Sequence, residues 1–587
     1  MTADLTQYAL LVVIAVVTIV IVAVFSRKLG IAAPLILLVV GVSASFLPGL
    51  PSDFEVPPEV VLLGLLPPLL YSAAINVPIV DFRRNLNTIS ALSVLLVVAT
   101  SFGAGYLLFI IFPDLNFAAA VALGAVVSPT DAVAATSLGK RLGLPPRLVT
   151  ILEGESLVND ATALVLLRSA IAATAAAVSF WGVIADFAYA AALAIVIGLI
   201  VGAVTVFLRS KLRDPVLDIA ISFAVPFLAY IPAEELHGSG VLAVVVAGLY
   251  AGHASSKRFS PQARINERLN WRTVQFVLEN GVFLLMGLQI SGIILHVNEK
   301  PDDFPVLTAI LIGLMITGVI VFIRFLFVGP LLYSLRRGNE RREQNNSRIA
   351  AAIARVRHFA DQDDRLRRRA ERAQNTLDRR TIDLATLRKE GFGWRGGVVL
   401  SWSGMRGVVT LAAAQSLPTD IPYRAQLILI AFTVAITTLL VQGGTLPLLI
   451  RLTKIGGVDG AADRQEFATL LDEISKTGLG VLENPALKVP GGELDPEVIE
   501  RVRRDTLANI DAAYERVEHG ASEEGLANPH QQYRALRREV IQAERDALID
   551  AESAGRYPSR IIERAQGMLD FEETRLGVVD DPDGARS

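Results

Sequence analysis

Long apolar runs, separated by short polar loops and by one long charged segment, fill the first 455 residues of this chain. With a window of about 19 residues, the length that crosses a bilayer, thirteen runs are read. They lie near Tyr8–Phe25, Ile31–Leu47, Val60–Ile75, Ile89–Phe112, Phe117–Leu138, Ile151–Ala177 and Phe180–Leu208. The series continues with Val216–Ile231, Gly240–Gly252, Val274–Leu295, Phe304–Leu335, Gly396–Leu417 and Ala425–Leu452. The third and ninth are short for spanning helices. The third also carries Pro67 and Pro68, which remove two backbone donors. No cleavable leader is read: MTADLTQY lacks a basic stretch, and the first run is long enough to span.

The polar loops between runs divide by charge. Alternate loops hold Arg27 and Lys28; Arg83 and Arg84; Lys140, Arg141 and Arg147; Arg209, Lys211 and Arg213; and Lys257, Arg258, Arg264, Arg268 and Arg272. The opposite set, PSDFEVPPE, PDLN, AEELHGSG, EKPDDF and PTDIPYR, has Lys300 and Arg424 as its basic residues. By the positive-inside rule the first set is cytoplasmic. The N-terminus is then outside and the tail inside, in a plasma or inner membrane. An odd total also allows helices one to six and eight to thirteen to form two inverted repeats about helix seven, a construction common in secondary transporters. It pairs helix five, with Pro129 and Thr130, with helix twelve, with Gly404, Arg406 and Gly407. The expected fold is an all-α polytopic membrane protein of thirteen helices, with broken helices crossing at mid-membrane and a cytoplasmic helical tail.

The expected domains are residues 1–335 with helices one to eleven, a charged cytoplasmic insertion at 336–395, helices twelve and thirteen at 396–455, and a helical tail at 456–587. The insertion reads as a solvated helical hairpin, or as a basic face against anionic lipid headgroups. In the tail, helical pattern is read at 496–519, 528–553 and 558–576. It has no phosphate loop, metal-ligand spacing or nucleic-acid motif.

Composition agrees with a membrane class. The chain is 52% hydrophobic and 19% charged, against about 25% charged in soluble domains, and its mean hydropathy is +0.48. The net charge of −3 reflects cancelling loops. With no cysteine, disulfides, thiolate metal sites and cysteine nucleophiles are excluded.

The chemistry concentrates in two stretches. EGESLVNDATALV places Asp160 about two turns inside the sixth run. A carboxylate at the centre of an inserted helix costs roughly 2.5–3.5 kcal/mol, which is tolerated where the group faces a protein interior or a water-filled cavity. Ser156 and Asp160 share one helix face, as do Glu155 and Asn159. In GAVVSPTDAVAAT, Pro129 breaks the fifth run beside Thr130 and Asp131. A break frees backbone carbonyls, and carbonyls with a threonine and carboxylates make a hard-oxygen set suited to a small cation. Thr130, Ser156 and Asp160 are the expected ligands, with Asp131 offsetting the positive ends of broken helices. Arg406 needs a carboxylate, and Glu155–Arg406 is the expected supporting ion pair. Glu279 and Arg324 are expected in interhelical pairs, Asp160 has Arg168 or Arg406 as its structural alternative, and Glu153 reads as lying at the cytoplasmic headgroup level.

LLPPLLYSAAI, SPTDAVA, EGESLVNDATALV, FVLENGVFLLMGLQI and GMRGVVTLA, in order from Tyr8 to Leu452, resemble the sodium/proton antiporters of the monovalent cation:proton antiporter-1 family. The resemblance implies thirteen helices, a dimerisation part and a mobile core, and a homodimer. It implies that Asp160 holds the cation, helped by Ser156 and Thr130 with Asp131 alongside, and that Glu155 acts through water or Arg406. It implies electroneutral exchange, since Asn159 precedes Asp160. Two departures stand out: Ser72-Ala73, where some members have an acid, and the long segment 336–395.

The reading is secondary transport without a resident cofactor: protons and sodium, or alternatively potassium, compete for Asp160. Expected partners are these cations, protons, membrane lipid and a second copy of the chain, with no nucleic acid. A membrane aspartyl protease would resemble a Tyr-Asp plus Gly-x-Gly-Asp pattern, and neither acid has that context. A signalling sensor with a vestigial core would not need Thr130, Ser156 and Asp160 intact.

Overall fold

The computed structural model describes residues 2–47, 56–175, 180–212, 214–299, 304–359, 393–455, 460–483 and 496–504, with scattered residues among 372–387 and 536–547. The described residues are helical throughout, with no strand. They divide into two compact units, Met1–Gly457 and Val458–Ser587.

The first unit opens with α1 (Thr2–Leu29), α2 (Ala33–Ser45), α3 (Leu66–Asn76), α4 (Ile79–Ser90) and α5 (Val97–Ile111). Next come α6 (Phe117–Val126), α7 (Val133–Arg141), α8 (Pro146–Ala175), α9 (Phe180–Arg209), α10 (Pro215–Glu235) and α11 (Gly240–Arg258). Then α12 (Pro261–Leu288), α13 (Ile290–Asn298), α14 (Val306–Phe359), α15 (Gly393–Trp402), α16 (Val408–Gln415), α17 (Arg424–Thr437) and α18 (Gly444–Thr453) complete it. Seven helices are long and apolar enough to cross a membrane, and five shorter apolar helices accompany them.

Local chemistry explains several boundaries. Asn116, Ser239 and Ser260 start α6, α11 and α12 by accepting a backbone N–H through the side chain. Pro67 and Pro68 fall at the first positions of α3, where no intrahelical donor is required, and a π-helical turn, Val60–Leu65, precedes them. Two more π turns, Ala91–Leu96 and Thr438–Gly443, join α4 to α5 and α17 to α18.

The insertion differs from the expected hairpin at its start. α14 is one helix of 54 residues that runs from the eleventh apolar run to Phe359, because the charged stretch after Leu335 is rich in Arg, Glu, Gln and Ala and has no proline, Gly338 being its one glycine. The rest of the insertion is described only at scattered residues. Among these, Leu387 is buried and its carbonyl accepts Arg147 Nη1 at 2.8 Å.

Two large apolar clusters organise the first unit. One is built mainly from α2, α5, α6, α8, α12, α13, α14, α16 and α17. The other is built from α3, α9, α10 and α11 with Trp271 of α12. α8 lies between them: it gives Leu152 and Leu167 to the first cluster, and Leu157 and Ala161 to the second. The helix that carries Asp160 is therefore the seam. Outward faces are apolar too, as at Val196, Ile200, Val204 and Phe207 of α9, a surface suited to lipid and not to water.

In the second unit, α19 (Gly460–Leu479) carries a Lys476–Asp472 pair one turn apart, and residues 496–504 are helical. Most of the helices read at 496–519 and 528–553, and all of 558–576, lie outside the described residues.

Candidate functional site

Two helices break and cross. α6 stops at Val126 and α7 restarts at Val133; α15 stops at Trp402 and α16 restarts at Val408. The interruptions touch through Asp131 N–H, which donates to Met405 O at 2.7 Å. Four helix ends thus meet, two with orphan carbonyls and two with orphan amides.

One charged side chain serves each kind of end. Asp131 Oδ1 accepts the N–H of Val133, the first residue of α7, at 2.8 Å, and its carboxylate packs against Gly407, which precedes α16. It therefore sits at two positive helix ends. Arg406, only 1% exposed, donates from Nε to Val127 O at the end of α6 (3.0 Å) and from Nη1 to Gly404 O after α15. It answers the two negative ends. Thr438, at the π turn, accepts the Arg406 N–H at 3.1 Å.

Beside the crossing, α8 presents Glu155, Ser156, Asn159 and Asp160. Asn159 Nδ2 donates to both Thr130 O and Thr130 Oγ1 at 2.9 Å, and Thr130 Oγ1 donates to Glu155 Oε1 at 2.9 Å. Ser156 Oγ accepts Ala132 N–H at 3.3 Å. Three side chains of α8 thereby hold the first break. Asp160 is buried one turn beyond Ser156, with Asp131 in electrostatic reach. Among the described residues no hydrogen bond or ion pair engages its carboxylate.

The supporting ion pair is corrected. Glu155 does not pair with Arg406. Arg324 of α14 takes Glu155 in a two-pronged pair, Nη1 to Oε1 at 2.5 Å and Nη2 to Oε2 at 2.9 Å, and its Nε donates to Leu400 O at 3.1 Å. A planar guanidinium offers this fork geometry to a carboxylate. Arg406 directs Nε and Nη1 to helix-end carbonyls and makes no ion pair with Glu155. Arg324 thus has the interhelical pair expected of it, whereas Glu279 has none among the described residues. Glu279 bonds Gln275 on its own helix (2.6 Å), Arg168 pairs with Glu234, away from Asp160, and Glu153 pairs with Lys140 at 2.8 Å.

Arg324 is the site residue that the sequence reading missed as Glu155's partner. Its signal was a lone arginine in VIVFIRFLFV, which needs a carboxylate wherever it is buried. The motif SGMRG also has a purpose not visible in the string. A Cβ on Gly404 would lie 2.7 Å from Arg324 Cδ, and one on Gly407 would lie 2.6 Å from Asp131 Oδ2. Each glycine leaves room for one charged side chain.

Thr130 and Ser156 carry a graded prediction. Thr130→Ala removes a hydroxyl that links Asn159 to Glu155, whereas Ser156→Ala removes one acceptor of a long bond. If these two oxygens ligate a cation, as the sequence leads one to expect, both changes raise its apparent KM, Thr130→Ala by the larger factor, on the order of tenfold for about 1.4 kcal/mol. Equal, wild-type KM values in both would remove the pair from the ligand set.

Residues 12–452 match the family described as sodium/hydrogen exchanger, transmembrane. A protein named as an uncharacterized Na(+)/H(+) exchanger in Mycobacterium tuberculosis (strain ATCC 25618 / H37Rv) is 28% identical over 585 residues, covering 97% of this chain and 96% of its own. The sodium, potassium, lithium and rubidium/H(+) antiporter of Bacillus subtilis (strain 168) is 28% identical over 433 residues, 71% of this chain and 57% of its own. The fold is similar to that of the sodium proton antiporter MjNhaP1 from Methanocaldococcus jannaschii, with a TM-score of 0.55 at 17% identity over 76% of this chain and 98% of that one. The chain belongs to the sodium/hydrogen exchanger family. It is an integral membrane protein and a monovalent cation:proton antiporter, a transporter and not an enzyme.

Proposed function

We propose that this antiporter exchanges sodium for protons one for one, electroneutrally, by alternating access, with both ions competing for Asp160. The charge arrangement of the site carries the reading. Glu155 is matched by Arg324, and Asp131 and Arg406 answer opposite helix ends. Asp131 is answered by backbone and helix ends, and Asp160 is left as the one carboxylate of the site with neither a hydrogen bond nor an ion pair on it among the described residues. One such charge accepts one proton or one monovalent cation, so the moving core carries the same charge in both crossings.

Thr130, Ser156 and Asp160 are the proposed cation ligands, Asn159 and Asp131 shape the site, and Glu155 supports it. The exchanged ions are substrates, and no resident cofactor is invoked. The seam position of α8 supports a core containing α6, α7, α8 and α15 to α18 that moves against α3 and α9 to α11. The thirteen-span count is supported by the order of the apolar helices, with the α15–α16 pair as the twelfth. The crossing of two broken helices favours inverted repeats. We retain the domain limits 1–335, 336–395, 396–455 and 456–587, an outside N-terminus with a cytoplasmic tail in the plasma or inner membrane, and a homodimer with membrane lipid around it.

The test is a proteoliposome assay with an imposed pH step under a clamped potential. Sodium dissipates the step at a rate and to an end-point that do not shift with voltage. Voltage-dependent net charge movement would overturn the stoichiometry. Dissipation by potassium in preference to sodium supports the second reading, which the Bacillus relative, named for potassium as well as sodium, favours. Failure of both ions sinks the proposal.

A further inference from the structure

We infer that a groove between α14 and α15 binds one anionic phospholipid, its acyl chain in the groove and its phosphate at Arg336 and Arg395. The groove has a volume of about 300 Å³. Phe325, Val328 and Leu332 form its apolar wall, and Tyr333, Arg336 and Trp394 form its mouth. From Phe325 to Arg336 an α-helix rises roughly 16 Å, about half of a ~30 Å hydrocarbon layer and so the depth of one leaflet.

The mouth has the chemistry of a headgroup region. Tyr333 and Trp394 are each 65% exposed, and aromatic residues with a polar tip settle at the membrane–water boundary. The Arg395 guanidinium lies 5.8 Å from the centroid of the Trp394 ring. Gly393, at φ 35°, turns the chain into α15, and a Cβ there would sit 3.6 Å from Arg336 Nη2. Arg336 thus lines the slot, and Arg395 lies beside its mouth, next to Trp394. Each presents a donor fork that matches a phosphate, which a zwitterionic lipid answers less well because its own cation competes.

The floor is built by close approach. A Cβ on Gly397 would lie 2.1 Å from Leu332 Cδ1, whereas Gly329, which also lines the groove, has nothing within 4 Å of its Cβ position. The groove is closed below and open at the side, the shape required by a single chain. Its occupant lies against the helix of Arg324 and against the helix that ends at the second break. The inference depends on the proposed orientation only for the leaflet, which the basic loops make cytoplasmic, where anionic lipid adds attraction.

The test is lipid retention by the full chain extracted in detergent and read by native mass spectrometry. The probes are phosphatidylglycerol and phosphatidylcholine supplied in equal amounts. Wild type retains one more phosphatidylglycerol per chain than Arg336→Gln/Arg395→Gln, and shows no such excess for phosphatidylcholine. Inorganic phosphate at matching concentration does not displace it, since the acyl chain contributes binding. Gly329→Leu adds a side chain where space is open, so the protein folds, and it loses the same lipid by filling the slot. Retention unchanged in both variants, or no preference between headgroups in wild type, overturns the inference. Unchanged retention with a lowered Tm in Gly329→Leu, in detergent without added lipid, would show that the chain itself closes the groove. Because the readout is binding, it stands apart from the transport assay above.

Discussion

Asp160→Asn abolishes exchange and leaves a folded, membrane-inserted protein. The substitution keeps the volume and polarity of the side chain but removes its capacity to take up a proton or balance a cation. Asp160 makes no hydrogen bond or ion pair among the described residues, so the helix crossing does not depend on its charge. Thr130, Asn159 and Glu155 still hold one another in the variant. Size-exclusion and thermal profiles should therefore match wild type while sodium-dependent dissipation of a pH gradient is lost at every pH. If the two ions compete for Asp160 as proposed, the apparent KM of wild type for sodium rises by up to about tenfold for each unit that pH falls where protons dominate the site, by mass action. A variant that transports at the normal rate, or a wild-type KM flat across that range, would remove Asp160 from the mechanism.

Much of this site could be read from local spacing. Ser156 and Asp160 are one turn apart, and Pro129 announces the break that frees the backbone at Thr130 and Asp131; both facts follow from the chain without knowledge of neighbours. Pairing between distant helices could not be read in that way. Glu155 and Arg324 are 169 residues apart, and the string offers two buried arginines for one acid. The choice of Arg406 rested on the need of an intramembrane arginine for a carboxylate, and this arginine has its place in the second break. That place, however, supplies carbonyl oxygens at two helix ends, which satisfy a guanidinium without a carboxylate. The glycines of SGMRG show the same limit: they mark close approach, but not what approaches. The extent of α14 was also hidden, because its hydrophobic period ends near Leu335 while its helix-forming residues continue. Periodicity reports a buried face; it is silent about a helix that leaves the apolar layer.

Arg324→Gln costs the fold about 3–5 kcal/mol, since it leaves Glu155 charged, buried and without its partner. The pair is 2% exposed on each side chain, so solvent screening is slight, and truncating one member is far more damaging than removing both. Glu155→Gln/Arg324→Gln should recover most of the lost stability. The amide at 155 can still accept from Thr130, and neither neutral residue carries a desolvation penalty of ionic size. Arg406→Gln provides the contrast. It strips donors from the Val127 and Gly404 carbonyls, a loss that Glu155→Gln cannot repair because Glu155 is not the partner. Thermal unfolding of the three single variants and the two double variants yields two coupling energies. A large coupling is expected for Glu155 with Arg324, and one near zero for Glu155 with Arg406. The reverse pattern would restore the pairing that the sequence alone suggests. Additivity in both cycles would show that the bidentate contact contributes little beyond its separate members. Transport by the Glu155→Gln/Arg324→Gln protein then completes the argument. If the pair serves to hold the first break against α8 and α14, cation-driven exchange persists with a raised KM once the fold is rescued, and the proposed electroneutral stoichiometry is unchanged, because the two charges that were removed cancel.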